Sequence, residues 1–162
     1  MVTIRAAVLV ASCLLGLLSC KSAPAPAPFN PDDPVALAAI DSLFKVSMEG
    51  AAMVDADKVL AMAEGQGELT FITGDVLLTG GEPIRERFRQ TYSGLKRQEN
   101  TIIEKRARLL SPDVAVVLAI GEGTYTDKAG WTSAPVGIGL TIVFVRQDGQ
   151  WRARHAHQSI AP

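Results

Sequence analysis

Four strand-like segments joined by short turns make up the second half of the chain, and they restrict the fold more than any other feature. The segments cover residues 98–110, 113–126, 132–146 and 150–159. Their connections carry turn residues, namely Ser111-Pro112-Asp113, Asp127-Lys128-Ala129-Gly130 and Gln147-Asp148-Gly149. Because such short connections join neighbouring antiparallel strands, the sequence predicts a large antiparallel meander.

The preceding part of the chain predicts helices and a small pair of strands. Asp33-Pro34 places a capping residue before a proline at the first helical position, which marks a helix start. Apolar spacing and glycines predict three helices, over residues 34–50, 55–65 and 81–94, with short strands at 68–73 and 76–78. We therefore predict an α+β fold, with a cone-shaped, curved antiparallel sheet wrapped around three helices.

The central strands of the meander are apolar on both faces. In the second long segment, one face holds Val114, Val116, Leu118 and Ile120, and the other holds Ala115, Val117 and Ala119. A sheet with one solvated face would show a cleaner alternation of apolar and polar residues. Since the helices can cover only one face, we predict that the outer face packs on a second copy in a homodimer.

The last strand carries both histidines of the protein and is the best candidate for a pocket wall. Side chains of an extended chain alternate between faces. We therefore expect one face to hold Trp151, His155, His157 and Ser159. The histidines could satisfy neighbouring polar groups, contact a polar group of a ligand, or act as acid and base. Trp151 is expected in the core or at the rim of the pocket.

The sequence argues against a metal site and predicts no cofactor. A catalytic zinc site normally uses three protein ligands. No third histidine exists, so Glu122, Asp75 or Glu104 would have to complete the set. Glu122 lies between two glycines, which predicts a bend or bulge there or a carboxylate aimed near the pocket.

The N-terminal residues predict export and lipidation. Arg5 precedes an apolar run from Ala6 to Leu18, too short to span a membrane. The sequence Leu17-Leu18-Ser19-Cys20 resembles the bacterial lipobox, although an ordinary export signal with an incidental cysteine is the alternative. We interpret residues 1–19 as a lipoprotein signal peptide and Cys20 as the lipidated residue. The resemblance implies, through Lys21, an outer-membrane location facing the periplasm of a Gram-negative bacterium.

Residues 20–33 form an Ala- and Pro-rich linker, and residues 34–162 form one domain. Proline fixes the backbone and removes amide donors, so the linker favours an extended form. Loss of Cys13 with the signal leaves the domain without cysteine, which excludes disulfides and thiolate chemistry there. No basic stripe with interleaved aromatic residues is present, so no nucleic-acid partner is predicted.

Three stretches in this order resemble the nuclear-transport-factor-2-like superfamily, in particular SnoaL-like domains of the DUF4440 type. They are "GGEPIRERF" at 80–88, "LLSPDVAVVLAIGEG" at 109–123 and "TIVFVRQDGQWRARHAHQS" at 141–159. The resemblance implies a cone-shaped α+β fold around a pocket, usually as a dimer through the outer sheet face. Relatives include isomerases, cyclases, dehydratases, transport factors and assembly domains.

Three functions follow as hypotheses. The main one is a lipid-anchored domain that binds a small, mostly apolar ligand, with polar contacts from His155, His157, Ser159, Trp151 and Glu122. The second is an isomerase, cyclase or dehydratase that uses His157 with Asp75 or Glu122 for proton transfer. The third is a dimerisation module whose interior is filled by its own side chains.

Overall fold

The computed structural model describes residues 28–64 and 68–161. The predicted signal peptide, the predicted lipidation site Cys20 and the linker up to residue 27 lie outside the described residues. Among the helices that are described, none has the length and apolar character needed to cross a membrane.

Three α-helices form the inner layer: α1 over Pro34–Ala52, α2 over Ala56–Leu60 and α3 over Gly81–Tyr92. The Asp33 carboxylate caps α1 by accepting a hydrogen bond from the amide of Val35 at 2.9 Å. The carboxylate of Asp55 caps α2 in the same way through the amide of Lys58, at 3.0 Å. These caps satisfy amides that have no partner within the helix. A 3₁₀ turn at Ala61–Ala63 follows α2.

Six strands form a single curved sheet. They are β1 (Thr70–Thr73), β2 (Val76–Thr79), β3 (Leu95–Ser111), β4 (Val114–Asp127), β5 (Val136–Gln147) and β6 (Gln150–Ala161), in the order β2-β1-β6-β5-β4-β3. The α+β class and the four-strand meander are confirmed. The short strand pair joins the meander through a parallel pairing of β1 with β6, with Thr70 opposite His155.

The strand β5 begins four residues later than predicted. Residues 131–135 lead into it as a loop, in which the amide of Ser133 donates to the carbonyl of Tyr125 at 3.0 Å. Pro135 stands directly before the first strand residue, Val136. Proline has no amide for a ladder hydrogen bond, which is a physical reason for the later start.

A β-bulge in β6 reverses the predicted faces of this strand. Val143 pairs with His155, but the next pair along is Phe144 with Ala153, so Arg154 is skipped. Beyond the bulge Ala156 faces the helices, and His157 lies on the outer face. The expectation that Trp151 shares a face with both histidines and Ser159 is therefore wrong, because strict alternation does not survive an extra residue.

The strands β3 and β4 approach each other closely at Gly121. The register of this pair shifts between Ile102 and Glu104. At Gly121, opposite Ile102, an added Cβ would collide with the carbonyl oxygen of Thr101. Only glycine permits this backbone contact. The pairing irregularity lies in β3, opposite Gly121, whereas β4 pairs with β5 without a register shift.

The core lies between the helices and the inner sheet face and fills one end of the cone. Phe144, Ile40, Ile84 and Val117 are almost completely buried there. On the outer face of β4, by contrast, Leu118 and Ile120 are 48% and 54% exposed. The described fold thus has one covered and one uncovered apolar sheet face.

Candidate ligand-binding cavity

An open cavity of about 520 Å³ lies between the inner sheet face and the helices. This volume is within the range of small-molecule sites. Most of its wall is apolar, including Met48, Met62, Phe71, Phe88, Ile138, Leu140, Ile142 and Ile160. The described interior is therefore not filled by its own side chains at this end.

Small side chains on β4 account for the space. Ala119, Gly121 and Gly123 follow one another on the inner face of the strand. Farther along the same face, Val117 and its neighbours close the core. The cavity thus begins where β4 stops contributing bulky residues.

Three side-chain amides interrupt the apolar wall, at Gln98 and Asn100 on β3 and at Gln158 on β6. None of them makes a side-chain hydrogen bond within residues 28–64 and 68–161. The Oδ1 atom of Asn100 lies over Gly123, 2.8 Å from the position that a Cβ would take there. Each amide can donate two hydrogen bonds and accept others, so the wall offers unused polar contacts.

Tyr92 separates the cavity from a cleft on the surface formed partly by Val54 and Asp55. Its ring lies 5.7 Å from that of Phe88. Burial, with a smaller effect of the Asp55 charge, raises the pKa of the Tyr92 phenol above its ordinary value. The hydroxyl therefore stays protonated at neutral pH and can donate a hydrogen bond.

Glu122 is the one charged residue among those that line the described cavity. It is exposed, and the alternation of β4 directs its side chain outward between the buried Gly121 and Gly123. The Glu122 carboxylate therefore points away from the cavity, and the alternative in which it is aimed near the pocket does not hold.

The two histidines lie on the outer sheet face. His155 has its Nδ1 2.8 Å from the hydroxyl of Thr70. His157 is exposed and borders a shallow groove with Glu104, Thr141 and Ser159. Ser159 covers Gly139, where an added Cβ would come within 2.6 Å of its Oγ. None of the three lines the cavity.

The candidate proton-transfer residues do not come together. Asp75 lies in the exposed turn between β1 and β2. No hydrogen bond joins any two of Asp75, Glu122 and His157 in the described part of the chain. Among the residues that the structure describes, no group of three or more His, Asp or Glu side chains could hold a metal ion.

Trp151 packs at the closed end of the cone. It is 8% exposed and belongs to the main core. The guanidinium of Arg146 lies 5.6 Å from its ring centroid, in a cation–π contact. The structure therefore places Trp151 in the core and outside the cavity wall.

Sequence reasoning missed the amides of Gln98, Asn100 and Gln158. Gln98 and Asn100 stand four and two residues before Ile102 on one strand, a spacing that could have placed them on its inner face. Gln158 could not be placed without knowing the bulge at Arg154.

Comparison with known proteins relates the chain to one family. The family model described as the calcium/calmodulin dependent protein kinase II association domain matches residues 38–162. A solved structure from Xanthomonas campestris, described as a candidate for such a domain, is 26% identical with a TM-score of 0.63. The match covers 76% of this chain and 86% of that one. No curated protein matches the sequence significantly.

Two other solved structures are similar in fold. A dehydratase candidate of the nuclear-transport-factor-2-like family from Streptomyces avermitilis is 12% identical, with a TM-score of 0.67 and coverage of 79% and 97%. A ketosteroid isomerase-like protein from Erwinia carotovora atroseptica is 21% identical, with a TM-score of 0.64 and coverage of 78% and 96%. Both likenesses concern the fold alone. The match to the family model, together with this likeness in fold, confirms the predicted nuclear-transport-factor-2-like superfamily.

Proposed function

The chain belongs to the calcium/calmodulin dependent protein kinase II association domain family, and from this premise we propose that it binds a small, mostly apolar molecule. The binding site is the cavity described above, and the domain is anchored in the cell envelope through a lipid on Cys20. A second copy covers the outer sheet face.

The open apolar cavity is the observation that carries the binding function. Its wall consists mostly of Met, Phe, Ile and Leu side chains, and the cavity measures about 520 Å³. A ligand that buries about 200 Å² of apolar surface gains about 5 kcal/mol at about 25 cal/mol per Å². An interior filled by its own side chains would offer no such gain, so the cavity favours binding over a purely structural module.

Proton-transfer catalysis has less support. An isomerase-type reaction needs a base and a hydrogen-bond donor that face one substrate atom. The hydroxyl of Tyr92 supplies a donor, but Asp75 lies in an exposed turn and the Glu122 side chain points outward. The described wall therefore offers no base opposite Tyr92, and we favour binding without chemical conversion.

The lipid anchor rests on the sequence around Cys20 and on the proline-rich spacer that follows it. The amide of Leu109 donates a hydrogen bond to the carbonyl of Pro31 at 3.0 Å, so the chain enters the domain near the C-terminal end of β3. Leu95, at the opposite end of β3, lines the cavity. A tether at Cys20 would therefore attach to the closed end of the cone and leave the cavity accessible.

A homodimer is the second part of the proposal, and the exposure of Leu118 and Ile120 favours it. The face of β3 to β6 measures about 19 Å by 40 Å, from strand spacings near 4.8 Å and a rise of about 3.3 Å per residue. That area approaches the roughly 800 Å² per partner of a stable interface. A second copy is the favoured occupant because the related Xanthomonas structure is described as an association domain. Glu104 and Arg106 on the same face supply both charges for a self-complementary contact.

Thermal shift with a panel of apolar and amphipathic small molecules tests the binding function. The sample is the mature chain, residues 20–162, with Cys20→Ser to remove the lipid. We expect several apolar compounds to raise the Tm, and the same compounds to fail with Ala119→Phe, whose ring would occupy the cavity. Ala39→Phe, at an exposed position of α1, is the matched control. A panel without any stabilising compound would contradict the proposal.

A further inference from the structure

We infer that the cavity selects uncharged ligands with a hydroxyl, carbonyl or amide group at one end, and that it discriminates against ionised carboxylates of the same length. The inference rests on the proposed binding function and names the ligand class. The selectivity follows from the neutral polar groups in the cavity wall and from the absence of lysine and arginine among the residues that line the described cavity.

The polar end of the ligand is assigned to the amides of Gln98 and Asn100. Both side chains lie on the inner face of β3, two residues apart, and neither has a hydrogen-bond partner among the described residues. Polar groups removed from water need partners. A carbonyl of a ligand can accept hydrogen bonds from these amides, and a hydroxyl or amide can also donate to them, whereas a pure hydrocarbon would leave them unpaired.

A third amide and a phenol extend this neutral polar set. Gln158 contributes to the wall from β6, across the sheet from β3. Tyr92 lines the cavity from α3, and burial raises the pKa of its phenol, so this part of the wall is neutral. All four groups are dipoles that suit an uncharged partner.

No cation compensates an anionic ligand. The residues that line the described cavity include neither lysine nor arginine, and the charge among them is the negative one of Glu122. Moving an ionised carboxylate out of water without a cation is unfavourable by several kcal/mol. The neutral amides could solvate it in part, but they cannot replace a counter-ion.

Isothermal titration of the mature Cys20→Ser chain with dodecanamide, dodecanol and dodecanoate below micelle-forming concentrations tests the inference. At pH 8 we expect dodecanoate to bind at least about tenfold more weakly than dodecanamide, because a tenfold difference needs only about 1.4 kcal/mol. The difference should shrink at acid pH, where the carboxylic acid becomes neutral.

The double variant Gln98→Leu/Asn100→Leu should lose about tenfold in affinity for dodecanamide and keep its fold by circular dichroism. Gln90→Leu, at an exposed position of α3, is the control and should bind like the parent chain. Equal or tighter binding of dodecanoate at pH 8 would overturn the selectivity alone, as would an unchanged affinity of the double variant for dodecanamide. Failure of all three compounds to bind would overturn the proposed function and this inference with it.

Discussion

Trp151 and His155 lie on opposite faces of β6, because the ladder skips Arg154 between the pairs Phe144–Ala153 and Val143–His155. This single extra residue separates two surfaces. Gln158 reaches the cavity wall, and His157 borders the groove on the outer face. The two neighbouring positions should therefore respond differently to the same substitution.

Gln158→Leu should change ligand binding, whereas His157→Leu should not. The first removes an amide from the cavity wall and should weaken dodecanamide binding by about three- to tenfold, as expected for loss of about one hydrogen bond. The second alters a side chain on the other face. Titration calorimetry of both variants checks this, and equal effects would contradict the position of the bulge.

Leu118→Asp should separate the proposed dimer into monomers. The substitution places a carboxylate in the middle of the apolar outer face, where a second copy would bury it without a partner. Light scattering coupled to size-exclusion chromatography should report half the mass of the parent chain. Leu77→Asp, on the edge strand β2 at 63% exposure, is the control that should remain dimeric. A parent chain that is monomeric at micromolar concentration would refute this part of the account.

Gly121→Ala should lower the free energy of unfolding by about 2 kcal/mol, within the range of overpacked sites. The added methyl group would meet the backbone of Thr101, which cannot move without distorting β3. Gly94→Ala adds the same group with no atom within 4 Å and should be close to neutral. Urea denaturation of the two variants measures the difference, and similar stabilities would show that the close approach is not required.

Tyr92→Phe should reduce the loss of stability at alkaline pH. Burial raises the pKa of Tyr92, so the folded chain keeps the phenol proton at a pH where the unfolded chain has released it. The free energy of unfolding is therefore unaffected by this group below about pH 10, the ordinary tyrosine value, and falls above it. Denaturation at a series of alkaline pH values should show a shallower fall for Tyr92→Phe than for the parent chain. Tyr125→Phe is the matched control, and an identical slope in all three proteins would contradict the burial of Tyr92.

Cys20→Ser should release the protein from membranes. Without the cysteine the predicted lipobox has no residue to acylate. Fractionation of cells that express the parent chain and the variant measures the change. Retention of the variant in the membrane fraction would contradict the anchor and leave the cavity unaffected.

Local patterns were sufficient for most of the fold. The strand-like segments and the short connections between them, such as Gln147-Asp148-Gly149, indicated the meander, and Asp33-Pro34 marked the start of α1 correctly. Each of these signals depends on neighbours within a few residues. The pairing of Thr70 with His155 joins residues far apart in the chain, and no local pattern reports it.

The candidate site was predicted less well, for one physical reason. A period of two places side chains correctly only while every residue pairs, and the skipped Arg154 moved His155, His157 and Ser159 to the outer face. Ala153 and Ala156 are both buried in the core although they are three residues apart, which requires the bulge between them. This burial depends on packing with distant parts of the chain. Gln98 and Asn100 carry no charge, so their residue types alone do not distinguish them from ordinary surface amides.

Native mass spectrometry of the mature Cys20→Ser chain, purified from its own host, shows whether the cavity holds a ligand. We expect a retained, uncharged and mostly apolar small molecule with the parent chain and with Ala39→Phe. We expect none with Ala119→Phe, in a variant that keeps its fold. Cavity binding is wrong if the molecule persists in Ala119→Phe, or if the parent chain carries none and is stabilised by no apolar compound.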